Sequence, residues 1–95
     1  MSKYRKKPVV IEAWHWTFRS GGEDPPAWVT DALWKWPEVG GIAFEPDYIG
    51  GARICIATLE GVHVSLPGDF VIQGVKGELY SCKPDIFEMT YEAVV

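Results

Sequence analysis

Few residues in this chain can carry covalent or acid–base chemistry, and their spacing limits what that chemistry is. The histidines are His15 and His63, and the serines are Ser2, Ser20, Ser65 and Ser81. Nucleophilic catalysis needs a nucleophile, a base and a group that orients the base. No serine sits in a Gly-x-Ser-x-Gly elbow. His63 and Ser65 are two residues apart, so on a strand they share one face. That is a bare Ser–His hint, and the plainer reading is two polar residues on the exposed side of a hairpin. Cys55 and Cys82 are isolated from paired His or Cys ligands, so a zinc site has no support. Glu78, Asp85 and Glu88 are near one another in sequence, but hydrolysis needs two acids converging in a cleft. Gly74-Val75-Lys76-Gly77 resembles an anion-binding loop, yet it joins two strand-like segments instead of a strand and a helix. Such a turn can still offer backbone N–H groups to an anion. No catalytic constellation emerges, so the chain is expected to be non-enzymatic, with no cofactor and no metal. A small hydrolase using His63 or Cys82 is the remaining catalytic alternative.

The aromatic load points to binding instead. The chain holds five Trp, four Tyr and four Phe. Each such side chain buries about 150–250 Å², more than a core of this size can enclose for all five Trp. The surplus has two outlets: a subunit or partner interface, where Trp and Tyr are enriched, or a stacking pocket for a planar ligand such as a base. The expected binding surface comprises Trp14, Trp16, Trp34 and Trp36, together with Lys76, Glu78, Tyr80, Lys83 and Asp85 along one edge. Lys83-Pro84-Asp85 also reads as a charged turn, with Asp85 capping nearby amides and the turn setting the angle of the last strand.

Size and charge restrict the partners. With 95 residues there is room for one domain, spanning 1–95, with residues 1–7 as a frayed basic arm. The formal charge is −4. Lys3, Arg5, Lys6 and Lys7 stand at the start, leaving five basic against thirteen acidic residues in the rest. A partner among nucleic acids is not expected from so small a basic footprint. Two cysteines are too few for a disulfide scaffold. No apolar run reaches the ~18 residues of a membrane span, and no secretory pattern opens the chain. A reduced, cytoplasmic protein is expected.

These residues must be positioned by short elements. Pro8 to Trp16 reads as a strand with Val9, Ile11, Ala13 and His15 on one face and Val10, Glu12, Trp14 and Trp16 on the other. Both faces are largely apolar, which predicts a strand inside a sheet covered on each side. Ser20-Gly21-Gly22-Glu23 reads as a loop. Asp24-Pro25-Pro26 reads as a helix start, with Trp28, Val29, Ala32, Leu33 and Trp36 on one helical face and a stop before Pro37. Gly40-Gly41 and Gly50-Gly51 bracket an irregular region with a short strand at Ile42-Ala43-Phe44. Arg53–Leu59 and Val62–Ser65 form a hairpin closed by Glu60-Gly61. Leu66-Pro67-Gly68-Asp69 fits a type II turn. Strands at Phe70–Gln73 and Glu78–Cys82 follow, and the alternation of Phe87, Met89, Tyr91 and Ala93 predicts a final half-buried strand. The expected class is α+β, with a mainly antiparallel curved sheet or small open barrel of five to six strands and one short helix packed on it.

Several runs carry a resemblance. They are Tyr4–Ala13, Thr58-Leu59-Glu60-Gly61, Pro67–Glu78, Tyr80, Cys82–Glu88 and Thr90-Tyr91-Glu92. Together they resemble a widespread group of short phage and prophage proteins, whose pattern runs Pro-Gly-Asp, Gly-Val-x-Gly-Glu-x-Tyr-x-Cys-Lys-Pro-Asp-Ile-Phe-Glu and Thr-Tyr-Glu. The central stretch from Asp24 to Pro37 departs from that pattern. The resemblance transfers no activity and no catalytic residue. It implies a cytoplasmic product of a phage or prophage accessory gene. Taken with the surplus Trp and the lack of a catalytic constellation, it leads to the expectation of a binding module for a host protein or a small nucleotide, inhibiting a host defence or regulatory system. A structural or assembly role in the phage particle is the alternative. Surplus Trp further predicts a homodimer or larger homo-oligomer.

Overall fold

The computed structural model describes residues 2–5, 7–17, 23–46 and 51–94. The expected loop at 20–22, Lys6 of the basic arm and the Gly50 half of Gly50-Gly51 lie outside them. The elements are β1 (Glu12–His15), α1 (Ala27–Leu33), β2 (Ile42–Pro46), β3 (Ala52–Thr58), β4 (Gly61–Ser65), β5 (Phe70–Gln73), β6 (Leu79–Cys82) and α2 (Pro84–Thr90). Six strands form two antiparallel three-stranded sheets, ordered β1-β5-β6 and β2-β3-β4. The architecture is α+β, but the sheets are not closed into a barrel, and the described residues hold two helices where one was expected. Among the described residues no helix is long and apolar enough to cross a membrane.

The second helix replaces the expected last strand. Lys83 is extended, Pro84 occupies the first helical turn and Asp85 follows it. Proline's fixed φ and missing N–H suit that position, and an acid there meets the positive end of the helix. Asp85 makes no side-chain cap bond, so its expected capping role is not observed.

The first strand is shorter than the sequence pattern suggests and lies at a sheet edge, not inside a sheet. Among the described residues its ladder partner is β5, four residues long, and the register ends where Glu12 meets Gln73. Its two faces are used as expected. Ala13 and His15 pair with Ile72 and Phe70 on one side, and Glu12 and Trp14 pair with Gln73 and Val71 on the other.

Helix α1 spans two turns and ends at Leu33, short of the expected stop before Pro37. Pro26 is its N-cap, without a side-chain cap bond, so Asp24 does not cap it. The amides of Trp34 and Lys35 bond three residues back, to Asp31 and Ala32, which tightens and ends the last turn. Val29 and Ala32 face the core, whereas Leu33 is exposed.

The core joins both sheets and the helix. Trp16, Val29, Ala32, Ile42, Ala52, Ile54, Ile56, Val71 and Leu79 form one buried cluster, with Trp14 and Trp28 packed against it. Thr58 pairs with Gly61, so the β3–β4 loop residues are Leu59 and Glu60, one position earlier than expected. Gly68, at φ 96°, lets the Leu66–Asp69 turn close through the Asp69 amide to the Leu66 carbonyl.

Candidate functional site

The nine residues expected to share a surface are dispersed. Trp16 is 1% exposed and belongs to the core, which removes it from any binding surface. Its indole Nε1–H donates to Ser65 Oγ at 2.9 Å, and its ring meets Phe44 edge-on at 6.3 Å. Trp14 is half-buried, with its Nε1–H donated to the Glu23 carbonyl at 3.0 Å. Trp36 is half-buried in the turn after α1. Trp34 alone among these tryptophans is open, at 90% exposure.

The polar members of that set mostly serve turns. The Lys76 amide donates to the Glu78 carboxylate at 2.9 Å, so Glu78 closes the β5–β6 connection. Lys83 donates to the Asp69 carboxylate at 2.9 Å, tying the start of α2 to the Leu66–Asp69 turn. Asp85 is exposed on α2. Tyr80 is half-buried, and its hydroxyl lies 3.2 Å from that of Tyr91. Burial, followed by that hydroxyl, pushes the Tyr80 phenol well above its ordinary range.

The residues with nucleophilic potential are equally placed by structure. Ser65 is fully buried beneath Trp16, so it is not the second of two exposed polar residues. His63 is exposed and lines an apolar cleft of about 270 Å³ with Leu59, Glu60, Glu78 and Tyr80. Burial, then the Asp69 and Asp85 carboxylates, raise the Cys82 thiol. Burial, then Glu45, raise Cys55, with Arg53 opposing. A raised thiol pKa lowers the thiolate fraction, which is the nucleophilic form. Cys82 is therefore expected to react with iodoacetamide at pH 8 more slowly than free cysteine, catching up as pH rises. A rate equal to or above that of free cysteine would show an activated thiolate. Among the described residues no group of three or more His, Cys, Asp or Glu is placed to hold a metal ion.

Two other features come together only in three dimensions. The first is the outer face of the β2-β3-β4 sheet. Register places Ala43, Cys55 and Val64 in one row and Ala57 and Val62 in the next, with Glu45 opposite Arg53 at one end. Ile42, Ile54 and Ile56 point to the opposite, inner side, where α1 also packs through Val29 and Ala32. Val62 is 57% and Val64 47% exposed on the outer face. Glu45 and Arg53 form an ion pair at 2.8 Å across its rim.

The second feature is a series of rings on the outer side of the β1-β5-β6 sheet. His15 stacks on Phe70 at 4.5 Å and 18°. Phe70 stacks on Phe87 of α2 at 3.7 Å and 6°, and Phe87 meets Tyr91 at 5.0 Å. His15 is oriented by its Nε2, 3.0 Å from the Gly68 carbonyl. A cleft of about 330 Å³ is lined by these four rings, Pro84 and Glu88. Alternation places Phe87 and Tyr91 on a strand and so does not show this site; a spacing of four also places two residues on one helix face, and Pro84-Asp85 is the helix signal in the sequence.

No protein-family model, curated protein or solved structure matches the chain.

Proposed function

We propose that the chain is a non-catalytic protein-binding module, a phage or prophage accessory product acting on a host defence or regulatory protein in the host cytoplasm. The single observation behind it is the outer face of the β2-β3-β4 sheet. That face combines small side chains (Ala43, Cys55 and Ala57) with two exposed valines on the last strand. Cys55 and Ala57 are themselves buried, so the accessible apolar area is that of Val62 and Val64 beside half-buried Ala43, and exposed apolar side chains rimmed by charge mark interaction sites. The phage origin and the host target rest on the motif resemblance alone.

A protein target is preferred to an anionic nucleotide. The ring-lined cleft offers an anion little, since it carries Glu88 and nearby Lys83 is engaged by Asp69.

The experiment is capture from host extract with the native chain and with a Val62→Lys, Val64→Lys double variant. Both positions are exposed, so the variant is expected to keep the native melting temperature. The native chain is expected to retain a discrete host protein and the variant to lose it by about tenfold or more, as a buried charge without a partner would cause. No specific capture by the native chain overturns the reading. Sedimentation of the two forms tests whether a second copy competes for this face: a native dimer that becomes a monomer in the variant would assign the face to self-association instead.

A further inference from the structure

We infer that the open edge of β1, lengthened by the residues that precede it, is a strand-pairing site for a second copy of this chain. The two copies join antiparallel about a two-fold axis at Val10. This goes beyond the proposed function and uses the other sheet, so either can fail alone.

The site begins as an incomplete strand. Pro8, Val9, Val10 and Ile11 lead into β1, yet no main-chain hydrogen bond joins them to another described residue. Val9 is 47% and Val10 74% exposed. Phe87, Tyr91 and Val94 border the run from the α2 side. Among the described residues β1 is an edge strand of its sheet. An extended edge with unpaired N–H and C=O groups is a template for another strand.

The direction of each main-chain group decides what that edge offers. Trp16 bonds inward, to Gly68 and Asp69, while the His15 amide turns outward to the Glu23 carboxylate at 3.4 Å. Even-numbered residues therefore turn their main chain toward β5, and odd-numbered ones toward the open edge. Pro8 is even-numbered, so its missing N–H falls on the β5 side and costs the edge nothing. Val9, Ile11 and Ala13 keep donors and acceptors for a partner strand.

Self-pairing is then constrained to a few registers. Opposed residues must both turn toward the shared edge, so odd meets odd. With the axis at Val10, Val9 meets Ile11, Lys7 meets Ala13 and Arg5 meets His15 of the second copy. β-branched side chains face one another at the centre, a favourable cross-strand arrangement. Arg5 arrives beside the Glu23 carboxylate, and the basic arm runs along an edge that carries Glu12 and Glu23. Opposite charges thus meet along the contact. An axis at Ile11 would bring Lys7 to the engaged His15 amide and carry Arg5 past Glu23. An axis at Val9 would set Lys7 against Ile11 and lose the central apolar pair.

The test is sedimentation equilibrium of the full chain, with disulfide cross-linking to read the register. The contact is small beside a standard interface of about 1,600 Å², so a dimer with a Kd of about 1–100 μM is expected. Val9→Pro removes an N–H from the open edge and is expected to weaken the dimer at least about tenfold. Val10→Pro removes one from the β5 side and is expected to weaken it less than about threefold. Both positions are exposed, so both variants fold. In a Cys82→Ser background, Val10→Cys is expected to form a disulfide dimer under mild oxidation, because non-hydrogen-bonded antiparallel partners stand about 4.5 Å apart. Val9→Cys and Ile11→Cys are expected to cross-link more slowly. The Val62→Lys, Val64→Lys variant is expected to remain dimeric. A native monomer at about 1 mM, equal effects of the two prolines, or cross-linking through residue 9 or 11 ahead of residue 10 would each overturn the assignment.

Discussion

Replacing Trp16 by alanine is expected to leave the protein largely unfolded at 25 °C. The side chain connects three parts of the molecule: the end of β1, Phe44 on β2 and Ser65 at the end of β4. Its main chain also pairs with the Leu66–Asp69 turn, donating to the Asp69 carbonyl and accepting from the Gly68 amide. Truncating a buried Trp to Ala costs about 3–5 kcal/mol. The buried Ser65 hydroxyl would also lose its partner, at about 1–3 kcal/mol. A domain of this length has only about 5–14 kcal/mol in total. The measurement is a urea titration followed by far-UV circular dichroism. A midpoint within about 0.3 M of the native value would show that Trp16 does not join the sheets. Adding Ser65→Ala to Trp16→Ala is expected to cost less than the sum, because the orphaned hydroxyl disappears with it.

The second large effect is at Asp69. This carboxylate is almost fully buried, and its Oδ2 accepts from the Leu66 amide at 2.9 Å and from Lys83 Nζ at 2.9 Å. Asp69→Ala removes the acceptor inside its own turn and the anchor of the residue that precedes α2. The Leu66 bond to this buried charge is worth about 1.5–3 kcal/mol and the largely exposed Lys83 end adds about 0–1 kcal/mol, so a loss of about 2–4 kcal/mol is expected. Lys83→Ala should cost far less, about 0–1 kcal/mol, because more than half of that side chain is in water and the Leu66 bond survives. Asp69→Asn should fall between them, keeping an acceptor for Leu66 without the charge. Equal losses for Asp69→Ala and Lys83→Ala would mean that the ion pair, and not the turn, carries the stability.

Local chemistry explains what could be read directly from the chain. The β3–β4 hairpin was legible because β-branched residues flank a glycine that tolerates φ of 117° at Gly61. The Leu66–Asp69 turn was legible because Pro67 and Gly68 each supply a required backbone angle. Helix α1 was legible in its buried stripe, Val29 and Ala32, but not in its length. The last turn depends on carbonyls choosing partners three residues on, a choice that propensity does not determine.

The candidate sites were much less legible. Trp16 and Trp34 look alike in a list of surplus aromatics, yet one is 1% and the other 90% exposed. Burial depends on which sheet lies opposite, and no local pattern states that. Lys83 and Asp69 are fourteen residues apart, and their pairing follows from the antiparallel return of β6 beside β5.

The sequence alone determined the class of the domain, most of its strands and two of its turns, because alternation, Pro and Gly act within a few residues. Tertiary structure alone decided the rest. It split the strands into two sheets, made Trp16 their join, and left Val62 and Val64 on an outer face. It also turned 84–90 into a helix. Phe87 and Tyr91 satisfy a period of two and a helical spacing of four equally well. In the folded chain Met89 is 78% exposed, while Phe87 stacks 3.7 Å from Phe70, a contact that local spacing does not encode.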